Sequence, residues 1–378
     1  MASAATPVEV TCLCGQTKER LQLASALPVM VSPCSCNGCR YSTGVLYFSC
    51  LPLASKPTTV ATLRRYDSTS TLSRYFCAVC GSHMYVHTAD SDSWKLCSGV
   101  VDRVTGHEQV FRLSLEHVVR HEFVGDTKDG GLAVCLADSE RHSSGSFHLQ
   151  DRDTAVIHVV HGEGRSPLGG PADAADSTSL RSTNTQFITS EFGFLGASCH
   201  CGGVQFFVTH PNEASRACSS PFPDLLVPYH SSSSANPEDV KWWLRTNDSK
   251  YLAGTCACRS CRLGSGSPIQ AWAFVPKANI IQPDGTPLRF DTGTLRCIES
   301  SPRCYREFCS VCGATVFWHC QERPELIDVS VGVLRAPEGA RAETWLEWWT
   351  ERVSFREQAL DQKLIGTLEK GLAALRRT

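Results

Sequence analysis

The chain has 378 residues, of which 42% are hydrophobic, enough for about two or three globular domains with ordinary cores. Its formal net charge of −2 gives no indication that nucleic acid or an anionic membrane surface is a partner. No stretch approaches the roughly 18 uncharged apolar residues of a transmembrane helix, and the N-terminal segment MASAATPVEVTCLCG lacks the basic and apolar regions of a signal peptide.

Cysteine is the unusual residue in this composition, with 21 copies. An odd number of cysteines without a secretory signal does not favour a disulfide framework. We therefore expect reduced thiols that bind metal or undergo redox chemistry. The cytoplasm is the expected compartment, with the nucleus as the second choice.

Taken in chain order, the cysteines form three short motifs that occur twice in the same order. The first set is CLCG (Cys12, Cys14), CSCNGC (Cys34, Cys36, Cys39) and FCAVCG (Cys77, Cys80). The second set is CHCG (Cys199, Cys201), CACRSC (Cys256, Cys258, Cys261) and FCSVCG (Cys309, Cys312). The repeated order indicates a tandem duplication.

Neighbouring residues recur at fixed offsets from these motifs. They are an arginine directly after each three-cysteine cluster (Arg40, Arg262), a glycine five positions beyond its last cysteine (Gly44, Gly266), an arginine before each FC dipeptide (Arg74, Arg306) and a histidine after each CxxCG motif (His87, His319). The copies differ in the segment 202–255, which carries a long insertion with a serine run.

The predicted secondary structure is mostly β. Runs rich in β-branched and aromatic residues, such as IQAWAFVP, ATVFWHC and LIDVSVGVL, predict short strands. The leucine spacing of REQALDQKLIGTLEKGLAALRRT predicts a helix. The resulting prediction is a first zinc domain (5–125), a flexible linker (126–192) containing one extra strand in TAVIHVVH, a second zinc domain (193–355) and a C-terminal helix (356–378).

In each half, the seven motif cysteines divide most simply into a group of four and a group of three. The Cys-x-Cys and Cys-x-x-Cys-Gly pairs together supply the four ligands of a closed structural zinc site. This predicts a first quartet (Cys12, Cys14, Cys77, Cys80) and a second quartet (Cys199, Cys201, Cys309, Cys312).

The first trio (Cys34, Cys36, Cys39) and the second trio (Cys256, Cys258, Cys261) remain. Three protein ligands and an open position are typical of a catalytic zinc, and we expect a substrate sulfur to be the fourth ligand. Two alternatives stay open: His87 or His319, or one of the remaining cysteines, completes a second structural site, or each trio is a metal-free redox group. Arg40 and Arg262 either bind a substrate carboxylate or solvate a surface, and Arg74 and Arg306 are expected to be structural.

The order CxCG, CxCxxC, FCxxCG resembles the glutathione-dependent formaldehyde-activating enzyme family, which includes the centromere protein V group. The resemblance covers both halves and implies a mainly β protein with two Mss4-like antiparallel domains and two zinc sites in each, up to four zinc ions per chain. It assigns the quartets to structural zinc and the trios to catalytic zinc. The family often has histidine within the CxC of the trio, where this chain has Ser35 and Ala257.

The activity that the resemblance implies is a carbon–sulfur lyase reaction in which the thiol of glutathione adds to formaldehyde, giving S-hydroxymethylglutathione. The partners would be a small thiol and an aldehyde or another electrophile, with Arg40, Arg262, His87 and His319 as candidate substrate-binding residues. A diverged enzyme acting on a glutathione conjugate, or a non-catalytic zinc-stabilised scaffold, is the alternative. The sequence does not predict an oligomeric state.

Overall fold

The computed structural model describes residues 5–106, 114–137, 146–150, 156–157, 193–223, 225–228, 231 and 235–376. Over these residues the fold is mainly β, as predicted, with three α-helices: α1 (Asn37–Thr43), α2 (Arg259–Ser265) and α3 (Gln362–Leu375). The strands are β1 (Thr6–Thr11), β2 (Lys18–Leu23), β3 (Val29–Val31), β4 (Cys50–Pro52), β5 (Arg64–Asp67), β6 (Leu72–Phe76), β7 (His83–Thr88), β8 (Ser93–Cys97), β9 (Val101–Val104), β10 (Glu116–Val118), β11 (Arg120–His121), β12 (Ser146–His148), β13 (Val156–Ile157), β14 (Phe194–Ser198), β15 (Gln205–Thr209), β16 (Leu244–Arg245), β17 (Lys250–Cys256), β18 (Gln270–Pro276), β19 (Ile280–Ile281), β20 (Leu295–Ser301), β21 (Cys304–Cys309), β22 (Thr315–Cys320), β23 (Leu326–Ser330) and β24 (Leu346–Trp348).

The two halves have corresponding sheets, in agreement with a duplication. The first copy contains a three-stranded sheet, β2-β1-β9, and a five-stranded antiparallel sheet, β4-β8-β7-β6-β5. The second copy contains the sheet β14-β15-β19 and the larger sheet β16-β17-β18-β23-β22-β21-β20, to which β24 adds in parallel beside β17. The run β18-β23-β22-β21-β20 repeats the strand order of the five-stranded sheet.

The two helices that start within the trios, α1 and α2, are called the trio helices. Each ends at a glycine that packs against the other copy. Gly44 ends α1 with φ +80°, and a Cβ there would lie 2.1 Å from the carbonyl oxygen of Thr315 in the other copy. Gly266 ends α2 with φ +77°, and its Cβ would lie 2.4 Å from the carbonyl oxygen of His83. A side chain is excluded at both positions by backbone conformation and by the neighbouring copy.

The repeated FC and CG dipeptides also meet across this interface. The ring of Phe308 lies 2.6 Å from the position of a Cβ on Gly81, and the ring of Phe76 lies 2.8 Å from that on Gly313. Each CxxCG motif therefore serves two purposes: its cysteines face a cluster in their own copy, and its glycine makes room for an aromatic ring from the other copy.

The C-terminal helix is confirmed, with narrower bounds than the predicted 356–378. Its buried residues Leu364, Ile365, Leu368 and Leu372 join the core of the second copy. A Cβ on Gly371 would lie 1.8 Å from the carbonyl oxygen of Cys135, so α3 packs directly on the short 3₁₀ helix Ala133–Leu136.

The predicted linker 126–192 is described only in part. Leu132, Val134, Cys135 and Leu136 are buried and belong to the core that α3 covers, so this end of the segment is packed. The strand expected in TAVIHVVH is present as β13, paired antiparallel with β12. Residues 138–145, 151–155 and 158–192 lie outside the described residues, and the predicted domain boundaries stay predictions.

The insertion 202–255 covers the core of the second copy where it is described. Trp243 is fully buried there, and its indole N–H donates to the carbonyl oxygen of Ser215 at 3.1 Å. Among the described helices, none combines the length and apolar character that crossing a membrane requires.

Substituting Gly44 tests the close contact between the copies. Gly44→Ala should lower the free energy of unfolding by about 2 kcal/mol more than Gly106→Ala does. The reason is that only at Gly44 would the new Cβ clash with a backbone atom, the carbonyl oxygen of Thr315. Gly106 is a matched control, with φ +84° and no atom within 4 Å of its Cβ position. Urea denaturation of both variants measures the difference, and equal losses of stability would contradict the proposed contact.

A buried carboxyl group where the first copy meets the C-terminal segment predicts a pH dependence. Glu116 accepts a hydrogen bond of 2.8 Å from the hydroxyl of Tyr47, and its backbone N–H donates to Asp361, the residue that caps α3. Burial, together with the nearby Asp361, raises the pKa of Glu116 to about 7.

Because the folded state binds this proton more tightly than the unfolded chain, the contribution of Glu116 is greatest below its ordinary pKa. It declines as the pH rises towards about 7. Between pH 4.5 and 7, the free energy of unfolding of the unmodified protein should fall by up to about 3 kcal/mol because of this group. Glu116→Gln should not show that fall. Denaturation of both proteins across this range measures it, and parallel curves would show that the carboxyl group does not titrate there.

Candidate functional site

The four cysteines of each quartet converge, as the motif spacing predicts. In the first quartet the sulfur of Cys14 lies 3.4 Å from that of Cys12 and 3.7 Å from that of Cys77. In the second quartet the sulfur of Cys201 lies 3.5 Å from that of Cys199 and 3.4 Å from that of Cys309. Four sulfurs at the zinc–sulfur distance of about 2.3 Å in a tetrahedron are about 3.8 Å apart, so both quartets fit one ion.

Local hydrogen bonds favour a thiolate at Cys12 in the first quartet and at Cys309 in the second, while they raise the pKa of Cys77 and of Cys312. Hydrogen bonds from Cys77 and Cys80 lower the pKa of Cys12, and the backbone N–H of Thr17 adds to this effect. In the second quartet, hydrogen bonds from Cys199 and Cys201 lower the pKa of Cys309. Thiolates are the form in which cysteine binds metal.

Each trio is assembled at the start of a short helix. Cys36 and Cys258 are the N-cap residues of α1 and α2, and each sulfur accepts a hydrogen bond of 3.2 Å from the backbone N–H three residues later. The three sulfurs of each trio lie within 4.8 Å of one another. Among the residues that the structure describes, no further cysteine, histidine or carboxylate joins either trio at this distance.

A buried arginine touches one sulfur of each trio. Nη2 of Arg74 donates to Sγ of Cys39 at 3.1 Å, and Nη2 of Arg306 donates to Sγ of Cys261 at 3.3 Å. Arg74 is 1% exposed and Arg306 is 5% exposed. Beyond the structural role expected for both, each guanidinium lies beside a trio sulfur and supplies positive charge there.

In each trio, the surroundings favour ionisation of one cysteine. Hydrogen bonds from the thiols of Cys34 and Cys36, followed by the Arg74 cation, hold the pKa of Cys39 well below its usual range. In the second trio, hydrogen bonds from Cys256 and Cys261, assisted by Arg306, do the same for the pKa of Cys258. Both trios therefore carry negative charge in a buried setting, which favours a bound cation.

Arg40 and Arg262 are buried, with 4% and 5% exposure, which excludes the interpretation that they solvate a surface. Arg262 donates through Nη1 to the carbonyl oxygens of Gly99 and Val101 in the other copy, so it ties the copies together. Arg40 donates to Asn37 and to the hydroxyl of Tyr41.

His87 and His319 are not at the trios, so neither serves as a fourth ligand there; their part in substrate binding stays a prediction. The side chain of His87 stacks on Trp94 and lies 2.9 Å from Asp92. In β7 the preceding residue, Val86, is the one paired with Arg74, so the alternation of a strand directs His87 to the opposite face.

The same alternation applies in the second copy. Trp318 packs against the second trio, whereas the next residue, His319, stacks on Phe290 and lies 3.2 Å from Glu307. The recurrence of the two histidines thus reflects equivalent strand positions on the face away from the cysteines.

His200, which lies between the two cysteines of the CHCG motif, was not predicted as a site residue. A Cβ built on Gly38 would lie 3.7 Å from Sγ of Cys36 and 4.0 Å from Nε2 of His200, so this histidine from the second copy borders the first trio. Its Nδ1 lies 2.5 Å from the hydroxyl of Tyr66, and its backbone N–H donates to the carbonyl oxygen of Tyr41. The contact between the copies gave no signal in the sequence.

Comparison with known proteins gives one match. The model of a family described as glutathione-dependent formaldehyde-activating enzyme matches residues 7–115 and 238–352, which together are more than half of the chain. No curated protein and no solved structure matches the chain.

Zinc analysis of the purified protein tests the ligand assignment. We expect about four zinc ions per chain, two in the quartets and two in the trios, and a fall of about one ion in Cys36→Ser and in Cys258→Ser. Cys297→Ser is the control, because Cys297 is exposed and belongs to none of the four groups. A content near two that neither trio substitution changes would mean that the trios bind no zinc.

Proposed function

The chain belongs to the glutathione-dependent formaldehyde-activating enzyme family, and on that premise we propose that it is a zinc-dependent enzyme of carbon–sulfur bond chemistry. Its reaction would be addition of the thiol of glutathione to formaldehyde or a related electrophile. The observation that carries this proposal is the pair of trios, each with three sulfurs within 4.8 Å and no fourth protein ligand among the described residues.

The residues present fit zinc in both kinds of cluster. We propose structural zinc in the two quartets and catalytic zinc in the two trios, up to four ions per chain, in two copies of the Mss4-like fold that the family implies. Zinc held by three thiolates supplies a Lewis-acidic centre with one exchangeable position, which keeps a substrate thiol deprotonated at neutral pH.

The protein's own groups prepare the trio for this chemistry. Cys34, Cys36 and Cys39 hold the cation, and the N–H group at the start of α1 fixes the sulfur of Cys36. Arg74 offsets the negative charge of three thiolates, since its guanidinium is buried and donates to Cys39. This compensation lets a further anionic sulfur approach the same centre.

The proposed reaction balances without an oxidant or reductant. The thiol of glutathione loses its proton, its sulfur forms a bond to the carbonyl carbon, and the carbonyl oxygen gains a proton to become a hydroxyl group. Because formaldehyde and thiols also react spontaneously, the contribution of the protein would consist mainly of holding the two reactants together in a reactive geometry.

The cysteines support a reducing compartment for this activity. All 21 are free thiols in the structure, and 14 of them belong to the quartets and trios. Oxidation of these thiols would remove metal ligands. We therefore propose the cytoplasm as the location, where glutathione would be available as co-substrate.

The activity is tested by exchange NMR of a mixture of glutathione and formaldehyde with the zinc-loaded protein. We expect the interconversion with S-hydroxymethylglutathione to exceed the spontaneous rate, and the double variant Cys36→Ser, Cys258→Ser to return it to that rate. Cys297→Ser is again the control. If the unmodified protein gives only the spontaneous rate and glutathione does not bind, the proposal fails and a non-catalytic scaffold becomes the better account.

A further inference from the structure

The two trios have different neighbours because each faces the CxCG loop of the other copy. His200, the central residue of CHCG, borders the first trio beside Gly38. The equivalent residue of the first copy, Leu13 in CLCG, borders the second trio helix, 3.5 Å from a Cβ position on Gly264. His200 therefore lies beside a cysteine of the first trio, whereas Leu13 packs further along the helix that carries the second trio.

The residue that contacts His200 differs in the same way. Tyr66 lies opposite Arg74 in the β5–β6 pairing, and Ile298 lies opposite Arg306 in the β20–β21 pairing, so the two are equivalent. Tyr66 contacts His200 at 2.5 Å, whereas Ile298 packs with Leu13 against the apolar core of the first copy.

A third pair of equivalent positions has a polar aromatic residue in the first copy and an aliphatic residue in the second. Tyr41 and Leu263 are each the second residue after the last cysteine of a trio. The carbonyl oxygen of Tyr41 accepts the backbone N–H of His200, and the guanidinium of Arg335 lies 3.2 Å above its ring. Leu263 is fully buried in the apolar core. At these three pairs of sequence positions, His200, Tyr66 and Tyr41 are polar or aromatic, and their counterparts Leu13, Ile298 and Leu263 are aliphatic.

We propose that His200 is a substrate-contacting residue of the first trio, donating a hydrogen bond from Nε2 to the carbonyl oxygen of the electrophile. This inference rests on the proposed function, which it deepens by making the two trios unequal. The first trio would handle carbonyl compounds with the help of this imidazole, and the second would lack the imidazole.

The hydrogen bond to Tyr66 sets the direction of donation. When the Tyr66 hydroxyl donates to Nδ1 of His200, the neutral ring carries its proton on Nε2. That nitrogen is the atom that faces Gly38 and, beyond it, Cys36. Tyr66 is therefore a positioning residue, since it acts on the substrate only through His200.

His200 lies close enough to Cys36 for one small substrate to reach both side chains. Sγ of Cys36 and Nε2 of His200 are separated by less than the combined 3.7 and 4.0 Å that each lies from the Cβ position on Gly38. His200 keeps its proton throughout, and the proton that completes the product hydroxyl comes from solvent.

The hydrogen bond would act mainly in the transition state, where negative charge develops on the carbonyl oxygen as the sulfur attacks. In other enzymes, removing one hydrogen-bond donor to such a developing oxyanion lowers the rate by about 10²-fold. The residues equivalent to His200 and Tyr66 in the other copy are Leu13 and Ile298, and neither side chain can donate a hydrogen bond.

The test compares variants in the Cys258→Ser background, in which only the first trio keeps all its sulfurs. His200→Leu is a conservative change for the fold, because the first copy carries the same sequence, CLCG, in its own quartet. His200→Gln retains an N–H donor of similar reach, and Leu13→Met is the matched control on the other loop. Each protein is assayed for zinc content and, by exchange NMR with glutathione and formaldehyde, for kcat/KM.

We expect His200→Leu to lower kcat/KM by about 10²-fold with unchanged zinc content, His200→Gln to recover part of that loss, and Leu13→Met to match the background. If His200→Leu keeps the rate while Cys36→Ser alone lowers it strongly, His200 is not a donor to the substrate and the proposed function stands. Loss of a zinc ion in His200→Leu would also overturn the inference, because the role would then be metal retention. If the unmodified protein has no activity, the proposed function fails and takes this inference with it.

Discussion

The close contact of backbone with backbone at Gly44 and Gly266 is the constraint on which the rest of this molecule depends. Each glycine ends a trio helix and leaves no room for a side chain against the other copy. The contact fixes where the trio helices lie relative to the opposite sheets. It therefore brings residues of one copy, such as His200, to the edge of a site whose cysteines belong to the other.

Electrostatics imposes a second constraint inside each site. A thiolate and a buried guanidinium lie side by side in each site, and each charge would be costly to bury without the other. Arg74 and Arg306 satisfy this requirement by reaching a trio sulfur from the strand that leads into the CxxCG motif. Along the chain, the trio cysteines thus come first, and the arginine that compensates their charge follows just before the CxxCG motif.

Much of the fold and the four cysteine groups could be predicted from the sequence. Runs such as IQAWAFVP and ATVFWHC became β18 and β22, and the leucine-rich tail became α3. The roles of His87, His319 and Arg74 could not be predicted, because a recurring offset does not say which face of a strand a residue occupies. The roles of Gly44 and His200 depend on contacts between the copies, which no spacing within one copy encodes.

The reciprocal packing has a consequence for how the two sites can diverge. In a symmetric dimer made from one short chain, the residue after the first cysteine of CxCG would be the same in both subunits, so both sites would change together. Here positions 13 and 200 lie in one polypeptide and face different trios, so a single substitution alters one site and leaves its counterpart intact. Covalent joining has converted a pair of equivalent sites into two that selection can tune separately.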